Sequence, residues 1–148
     1  MSRRTFFSFH YEHDIWRANV VRNSWVTQDR ASAGFFDGSL WEEAKTKGDS
    51  AVRALIDDGL LNTSVTVVLI GRFTSSRDYV RYEIEQSAAR GNGLLGVHIE
   101  NIGNANGKTD TAGASPLPAG VPVYWWYGDE GYTNLGSWIE AAAIAAGR

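Results

Sequence analysis

Apolar segments of two kinds alternate along the chain. Five short segments are rich in apolar and β-branched residues, which is typical of strands. They cover residues 5–10, 34–36, 64–71, 94–100 and 121–126. The segment "SVTVVLIG" at 64–71 is almost uninterrupted, as expected of a parallel strand that is buried on both faces.

Between these strands, apolar residues recur every three or four positions, which predicts helices with one buried face. The predicted helices cover residues 12–25, 40–60 with a break near Gly48, 75–90 and 134–147. This alternation predicts an α/β fold with a central parallel sheet of about five strands and helices on both faces. Because no linker or internal repeat interrupts the pattern, we expect residues 1–148 to form a single domain.

Short polar side chains mark the predicted helix starts, because they can accept hydrogen bonds from the free backbone N–H groups. His13 or Asp14 is expected to open the first helix, and Ser75 or Ser76 to cap the helix that follows them. Asp78 then falls in the first turn of that helix, where a negative charge complements the helix dipole.

The segments that follow the predicted strands are the places to look for a site, because parallel α/β sheets bind ligands at the carboxyl ends of their strands. These segments are 8–14, 35–39, 71–78 and 98–107. Residues 101–120 are rich in Gly, Asn, Ser, Thr and Pro, which predicts a long surface loop. No segment has the G-x-G-x-x-G or G-x-x-x-x-G-K-[ST] spacing of a phosphate loop after a strand.

Composition removes several classes of function. The formal net charge is −3 and no run of Lys and Arg exceeds two residues, which argues against a nucleic-acid-binding surface. The absence of cysteine excludes disulfides, thiolate metal sites and cysteine nucleophiles. No stretch approaches the ~20 apolar residues of a membrane span, and residues 1–14 are too polar for a signal peptide. We therefore expect a cytoplasmic protein that binds neither nucleic acid nor membrane.

Glu83 is the carboxylate whose position calls for an explanation. Counted from Ser76, Tyr79 and Glu83 follow at +3 and +7, on one face of the predicted helix and beside its apolar face. The residues on the opposite, outer face are Arg77, Arg81 and Glu85. A carboxylate at the edge of the buried face can stabilise a cationic transition state, and neighbouring apolar groups would raise its pKa. It can also be a boundary residue that pairs with Arg81 or Lys47.

Other polar residues near strand ends also have two interpretations. His10 and His13, with Glu12 between them, are metal-ligand types that a loop can bring together. Because only His98 remains as a further histidine, polar residues that cap the next helix or line a site are the favoured interpretation. Asp37 can be an acid or can bind a ligand, but the composition of "DGS" favours a turn.

Several of these segments together resemble a known family. The runs "RTFFSFHYEHDIWRANVVRNSW", "SSRDYVRYEIEQSAARGNGLLGVHIENI" and "GYTNLGSWIEAAA" are similar to TIR-like proteins of bacteria and archaea. Within that group the resemblance is to the ThsB proteins, the TIR components of Thoeris anti-phage systems. It covers nearly the whole chain and implies a flavodoxin-like (TIR) fold. It also implies an enzyme that cleaves the bond between nicotinamide and ribose in NAD+.

The resemblance also implies the residues of the site. TIR enzymes carry a catalytic glutamate in a Ser-x-x-Trp-(Cys/Val)-x-x-Glu pattern, and the matching run extends from Ser76 to Glu83, with Tyr79 in place of Trp. Glu83 is therefore the expected catalytic residue, and Ser76 and Tyr79 are expected near the substrate. A carboxylate suits this chemistry, because loss of nicotinamide develops oxocarbenium character on the ribose.

Two further segments match the family more loosely. Ser8, Phe9 and His10 should line the nicotinamide-ribose side of the pocket. Asp37 and Ser39 lie in the region that matches a mobile loop over the substrate. The resemblance implies that NAD+ is the substrate and that neither a metal nor another cofactor is required.

In ThsB-like proteins the ADP-ribose becomes a cyclic or related signal nucleotide, which activates a partner effector protein. Family resemblance also implies homo-oligomers, in which the exposed aromatics near Trp125 and Trp126 can form contacts, although at least one of the two is expected in the core. Two other functions share the fold. A TIR adaptor would only associate with itself or with partners, and a plain NAD+ hydrolase toxin would use the same site to release ADP-ribose.

Overall fold

The chain folds into alternating strands and helices. The computed structural model describes the backbone of residues 4–26, 32–33 and 38–148, and the side chains of residues 4–24 and 41–148. The strands are β1 (Thr5–Ser8), β2 (Ser32–Ala33), β3 (Val65–Ile70), β4 (Gly93–His98) and β5 (Val123–Trp125). The helices are α1 (Tyr11–Val26), α2 (Gly38–Lys47), α3 (Asp49–Leu60), α4 (Asp78–Ala89) and α5 (Gly131–Ala145), with a short 3₁₀ turn at Thr74–Ser76.

The strands form one parallel sheet in the order β2-β1-β3-β4-β5. This is the flavodoxin-like order, in which the strand sequence reverses between β1 and β3. The prediction of an α/β fold with about five parallel strands is therefore confirmed. The strand predicted at residues 34–36 lies outside the described residues, and the short strand described in this region is Ser32–Ala33.

Successive side chains of a strand point to opposite faces of the sheet, so alternate residues of each strand pack against different sets of helices. Phe7, Val67 and Leu69 pack on the face that α1 and α5 cover. Phe6 packs with α2 and α3 on the other face, and Val68 and Ile70 pack there with α4. The prediction of helices on both faces is confirmed. No helix in the described residues combines the length and the apolar character needed to cross a bilayer.

The first helix begins earlier than the sequence predicts. It starts at Tyr11, so His13 and Asp14 lie within its first turn and do not open it. The backbone N–H of His13 donates a hydrogen bond to Nδ1 of His10 at 3.2 Å. His10 thus satisfies one of the free N–H groups at the start of α1, as a polar residue that caps the helix was expected to do.

The start of α4 also differs from the prediction. Its first residue is Asp78, and Arg77 precedes it with an extended backbone and no side-chain cap. The hydroxyl of Ser76 donates to the carbonyl oxygen of Phe73 at 2.9 Å, so this serine stabilises the preceding 3₁₀ turn and does not cap α4. The prediction that Asp78 lies in the first turn is confirmed.

The connection between β4 and β5 has no helix or strand, as its composition predicts, but it is firmly attached to α1. The guanidinium of Arg17 donates to the carbonyl oxygens of Ile102 at 2.7 Å and Lys108 at 2.9 Å. Nε2 of His13 lies 2.7 Å from a carboxylate oxygen of Asp110. These bonds fix the loop beside the carboxyl ends of the central strands.

Candidate active site

Glu83 and Ser8 meet at the carboxyl end of the sheet. The hydroxyl of Ser8, the last residue of β1, donates a hydrogen bond to Oε1 of Glu83 at 2.7 Å. Glu83 lies in the second turn of α4, and only 5% of its surface is exposed. A carboxylate this deeply buried is uncommon unless it is paired or functional.

Burial changes the protonation of Glu83. Loss of hydration raises the pKa of Glu83 to about 8, although the hydrogen bond from Ser8 and the positive charge of Arg77 oppose this rise. The raised pKa agrees with the prediction made from its apolar surroundings. At neutral pH the carboxyl group of the free protein is therefore mostly protonated.

Glu83 is not the boundary residue that the alternative interpretation describes. The guanidinium of Arg81 donates to the carbonyl oxygen of Ser75 at 3.0 Å. The ammonium of Lys47 pairs with Glu43 at 2.9 Å. Pairing of Glu83 with either cation is therefore wrong in this structure, because both cations have partners elsewhere.

The strand pattern explains why Ser8 reaches Glu83. Ser8 follows Phe6 by two residues and so points to the same face of the sheet, where α4 packs. Ser8 pairs in register with Val68 of β3, and α4 follows β3 along the chain. Residues from β1 and α4 are thus brought together at the point where the strand order reverses, which is the usual ligand site of this architecture.

Polar contacts continue along the same interface between α4 and the sheet. The hydroxyl of Ser87, one turn after Glu83, donates to the carbonyl oxygen of Glu83 at 2.6 Å. It also lies 2.7 Å from the hydroxyl of Thr66 in β3, and both residues are buried. Buried polar groups with satisfied hydrogen bonds favour one packing arrangement. The hydrogen bonds of Ser87 therefore hold α4 in a defined position against β3.

Phe9 and Tyr79 lie on opposite faces of the sheet. Phe9 is buried with the cluster of α1 and α5, on the face of the sheet away from Ser8, and its ring stacks on Tyr11 at 6.2 Å between centroids. The ring of Tyr79 lies edge-on to Trp41 of α2 at 6.0 Å. Tyr79 is thus on the same side of the sheet as Glu83, whereas Phe9 contributes to the core.

The other predicted substrate residues lie in different places. Ser76 is exposed and, with Tyr79, lines a groove of about 500 Å³ between α3 and α4. Glu83 is not among the described residues that line this groove. Ser39 belongs to the first turn of α2, but its side chain lies outside the described residues, as does the whole of Asp37.

His10 is half-buried beside the site. Burial and the nearby charge of Arg77 lower the pKa of His10. His10 lies 3.6 Å from a carboxylate oxygen of Glu12, and its ring is 5.9 Å from that of His13. Within the described residues, no three His, Asp or Glu side chains are arranged to hold a metal ion.

Sequence patterns missed a charged cluster around Glu12, which includes Arg77. The carboxylate of Glu12 accepts hydrogen bonds from Arg77 at 2.6 Å, from Lys45 at 3.1 Å and from the indole of Trp41 at 3.3 Å. The placement of Arg77 on the outer face of α4 is wrong, because Arg77 precedes the helix and its extended backbone turns the side chain toward α1. The mixture of polar residue types at 10–14 was a signal, but it was interpreted as helix-capping or site-lining residues, with a metal site as the alternative, and not as an ion cluster.

A separate, buried ion pair lies further along α1. Asp14 and Arg17 are both almost fully buried, and they meet at 3.2 Å. Burial raises the pKa of Asp14, although His13 and Arg17 oppose this effect. Among the described residues, Oδ2 of Asp14 has no hydrogen-bond partner, and it lies against Gly71, where a Cβ atom would overlap it. Gly71 therefore allows α1 to approach the end of β3.

The two adjacent tryptophans have different environments, as expected. Trp126 is buried in the core with α5, whereas Trp125 is 40% exposed and stacks on His98 at 4.0 Å between ring centroids. The prediction that at least one of them is a core residue is confirmed.

Comparison with known proteins adds the family to this geometry. The model of the family described as "Thoeris protein ThsB, TIR-like domain" matches residues 6–104, which contain both Ser8 and Glu83. A relative from Bacillus cereus (strain MSX-D12), named "Putative cyclic ADP-D-ribose synthase ThsB1", is 50% identical over 119 residues. The match covers 79% of this chain and 62% of the relative, so the chain spans less than two thirds of that protein's length. The chain belongs to the ThsB family of TIR-like domains.

Proposed function

We propose that this protein cleaves the bond between nicotinamide and ribose in NAD+ and closes the ADP-ribose into a cyclic signalling nucleotide, with Glu83 as the catalytic residue. The observation that carries the proposal is the buried carboxylate of Glu83, held by Ser8 at the carboxyl end of the sheet. Membership of the ThsB family supports it, as does a relative named as a cyclic ADP-D-ribose synthase.

Glu83 would act on the charge that develops in the reaction. When the C1′–N bond breaks, its electron pair moves to the nicotinamide ring, which leaves as a neutral molecule, and the ribose becomes an oxocarbenium ion. An ionised carboxylate stabilises that cation. The nicotinamide ring of NAD+ already carries a positive charge, and its approach would lower the pKa of Glu83 and favour the ionised form.

The second half of the reaction decides the product. If a hydroxyl group of the same ADP-ribose attacks C1′ and releases its proton, the product is cyclic. If water attacks, the product is linear ADP-ribose. A site that excludes water favours the first outcome. The relative named "Putative cyclic ADP-D-ribose synthase ThsB1" supports the cyclic product.

Substrate contacts complete the proposal. Ser8 would orient the carboxylate of Glu83, and His10 and Tyr79 would border the nicotinamide ribose. Four further residues are proposed as substrate-binding residues on the resemblance to TIR proteins alone: Phe9, Ser76, Asp37 and Ser39. We place the reaction in the cytoplasm with NAD+ as the substrate and no further cofactor. An effector protein that responds to the nucleotide and homo-oligomers of this chain belong to the same proposal.

The proposal can be tested by mass spectrometry. The purified protein is incubated with NAD+, and nicotinamide and nucleotide products are measured over time. Glu83→Gln preserves side-chain volume and should abolish nicotinamide release. Glu85→Gln, on the exposed side of the same helix, should keep the activity of the wild type and controls for changes in helix charge.

Each outcome has a distinct meaning. A product with the mass of ADP-ribose minus water, absent from Glu83→Gln, would support a cyclase. Linear ADP-ribose alone would replace the cyclase with a hydrolase at the same site. No nicotinamide release, either from the purified protein or in lysates of phage-infected cells that express it, would overturn the enzymatic proposal and favour an adaptor.

A further inference from the structure

The carboxylate of Glu12 is the centre of a cluster that joins three helices. Arg77, which precedes α4, donates to both oxygens of Glu12 at 2.6 Å. Lys45 and the indole of Trp41, both from α2, donate to Oε1 at 3.1 and 3.3 Å. Glu12 itself lies in the first turn of α1. One carboxylate therefore holds two cations and a further donor in place.

The cluster is positive overall, since two cations share one anion. Burial would raise the pKa of Glu12, but hydrogen bonds from its own backbone, Lys45 and Trp41, together with the charge of Arg77, lower it to about 2. Glu12 is consequently ionised at any physiological pH. It remains the partner of the two cations unless another anion replaces it.

Arg77 also connects the cluster with the candidate catalytic residue. Its positive charge lowers the pKa of both Glu83 and His10, so it acts on the groups at the carboxyl end of β1. Arg77 lines the groove of about 500 Å³ between α3 and α4, and its guanidinium lies 5.5 Å from the ring centroid of Tyr79. Arg77 thus lines a space that can hold a further part of a ligand, and it precedes the same helix that carries Glu83.

The side chains of the cluster are more exposed than that of Glu83, which is 5% exposed. The exposed fractions of the side chains are 31% for Glu12, 38% for Lys45 and 25% for Arg77. Ion pairs at such partly exposed positions exchange partners more readily than buried pairs, because water stabilises the separated charges. An incoming anion can therefore compete with Glu12.

We propose that Arg77 and Lys45 bind the diphosphate of the dinucleotide substrate, and that Glu12 occupies their binding groups in the free protein. This inference rests on the proposed function. In NAD+ the diphosphate is joined to the same ribose whose C1′ carries nicotinamide, so a cation beside Glu83 is suitably placed for it. A guanidinium binds two phosphate oxygens as readily as two carboxylate oxygens, and the diphosphate supplies more negative charge than one carboxylate.

The arrangement would select ligands by their phosphate groups. A ligand that carries a diphosphate gains the contacts of Arg77 and Lys45 and displaces Glu12. A ligand without phosphate gains no ionic contact and leaves the cluster intact. Glu12 would thus lower the affinity for every phosphorylated ligand by a similar factor, without affecting an unphosphorylated one.

Isothermal titration calorimetry with ADP-ribose tests this inference, because ADP-ribose carries the diphosphate but lacks the bond that would be cleaved. Glu12→Gln should bind ADP-ribose about tenfold more tightly than the wild type, which corresponds to ~1.4 kcal/mol. Arg77→Gln and Lys45→Gln should bind it more weakly, by about tenfold for Arg77→Gln. The affinity for adenosine should be the same in all variants.

A matched control separates this effect from general electrostatics. Glu43→Gln removes one negative charge from the exposed Glu43–Lys47 pair on α2 and should leave the affinity for ADP-ribose unchanged. Melting temperatures of all variants report whether each one is folded. If Glu12→Gln does not fold, Lys45→Gln still tests the inference, since Lys45 lies at the exposed edge of the cluster.

Equal or weaker binding of ADP-ribose by Glu12→Gln would overturn the role of Glu12. Parallel losses of ADP-ribose and adenosine affinity in Arg77→Gln and Lys45→Gln would overturn the diphosphate assignment, since they would indicate a structural defect. The proposed function fails on a different measurement. If NAD+ is not cleaved but Glu12→Gln binds ADP-ribose more tightly, the binding inference stands without the catalytic one.

Discussion

Replacing Glu83 by glutamine should change how the free energy of unfolding depends on pH. In the native protein, burial raises the pKa of Glu83 to about 8, against the hydrogen bond from Ser8 and the charge of Arg77. In the unfolded chain the same group has its ordinary value of 4.5. Glutamine has nearly the same volume and can accept the hydrogen bond from Ser8, but it does not titrate.

The sign and the size follow from proton binding. Between pH 4.5 and pH 8 the native protein keeps the proton of Glu83 and the unfolded chain releases it, so the free energy of unfolding falls as the pH rises. The native state is stabilised by keeping the carboxyl group of Glu83 protonated. This contribution to the free energy of unfolding is fully present below pH 4.5 and is lost by the time the pH has passed 8. At ~1.4 kcal/mol for each pKa unit, the full loss is on the order of 5 kcal/mol, of which about 4 kcal/mol falls between pH 5 and pH 9.

Urea unfolding at pH 5, 7 and 9 measures this effect. The wild type should lose roughly 4 kcal/mol more than Glu83→Gln between the two extremes. Other titrating groups, such as the buried Asp14, contribute to both proteins and cancel in the difference. Glu85→Gln should follow the wild type. If Glu83→Gln and the wild type lose the same free energy between pH 5 and pH 9, the native carboxyl group of Glu83 does not have a raised pKa.

Three other substitutions give outcomes of known direction. Ser8→Ala removes a hydrogen bond that favours the ionised form of Glu83, so the pKa of Glu83 should rise further. The pH at which kcat/KM for NAD+ reaches half of its maximum should therefore rise, and an unshifted pH profile of nicotinamide release would contradict the role of Ser8. Arg17→Met leaves the buried carboxylate of Asp14 without its partner and should lower the free energy of unfolding by about 3–5 kcal/mol in urea titrations, whereas a loss near zero would show that the pair contributes nothing. Gly71→Ala places a methyl group against the carboxylate of Asp14 and should lower the free energy of unfolding by about 1–3 kcal/mol. The melting temperature should fall, and an unchanged melting temperature would refute this prediction.

The sheet was predictable because the central strands β1 and β3 are buried on both faces. In β3 every residue is buried, so the apolar run at 64–71 has no competing interpretation. The helix starts were less predictable, because serine and histidine side chains can satisfy several neighbouring backbone groups. Ser76 bonds to the 3₁₀ turn before α4, and His10 takes the capping position that His13 or Asp14 was expected to fill.

The sequence predicts that Glu83 lies beside the buried face of its helix, but it does not predict that Ser8 is its hydrogen-bond partner. Helical spacing places Glu83 beside the apolar face of α4, but only the pairing of β1 with β3 brings Ser8 to it. Arg77 was assigned to the wrong side because a helical wheel applies only within a helix. The contact of Glu12 with Arg77 joins residues 65 positions apart, and no local pattern indicates a contact at that distance.

The bond between Ser8 and Glu83 spans 75 positions of the chain, and this has a consequence for biosynthesis. A chain emerging from the ribosome exposes β1 long before β3 and α4 exist. Ser8 cannot bind Glu83 until α4 has been made and has packed on the sheet. The carboxylate therefore acquires its raised proton affinity only in a nearly complete fold, and unfinished chains carry none of the chemistry that depends on it.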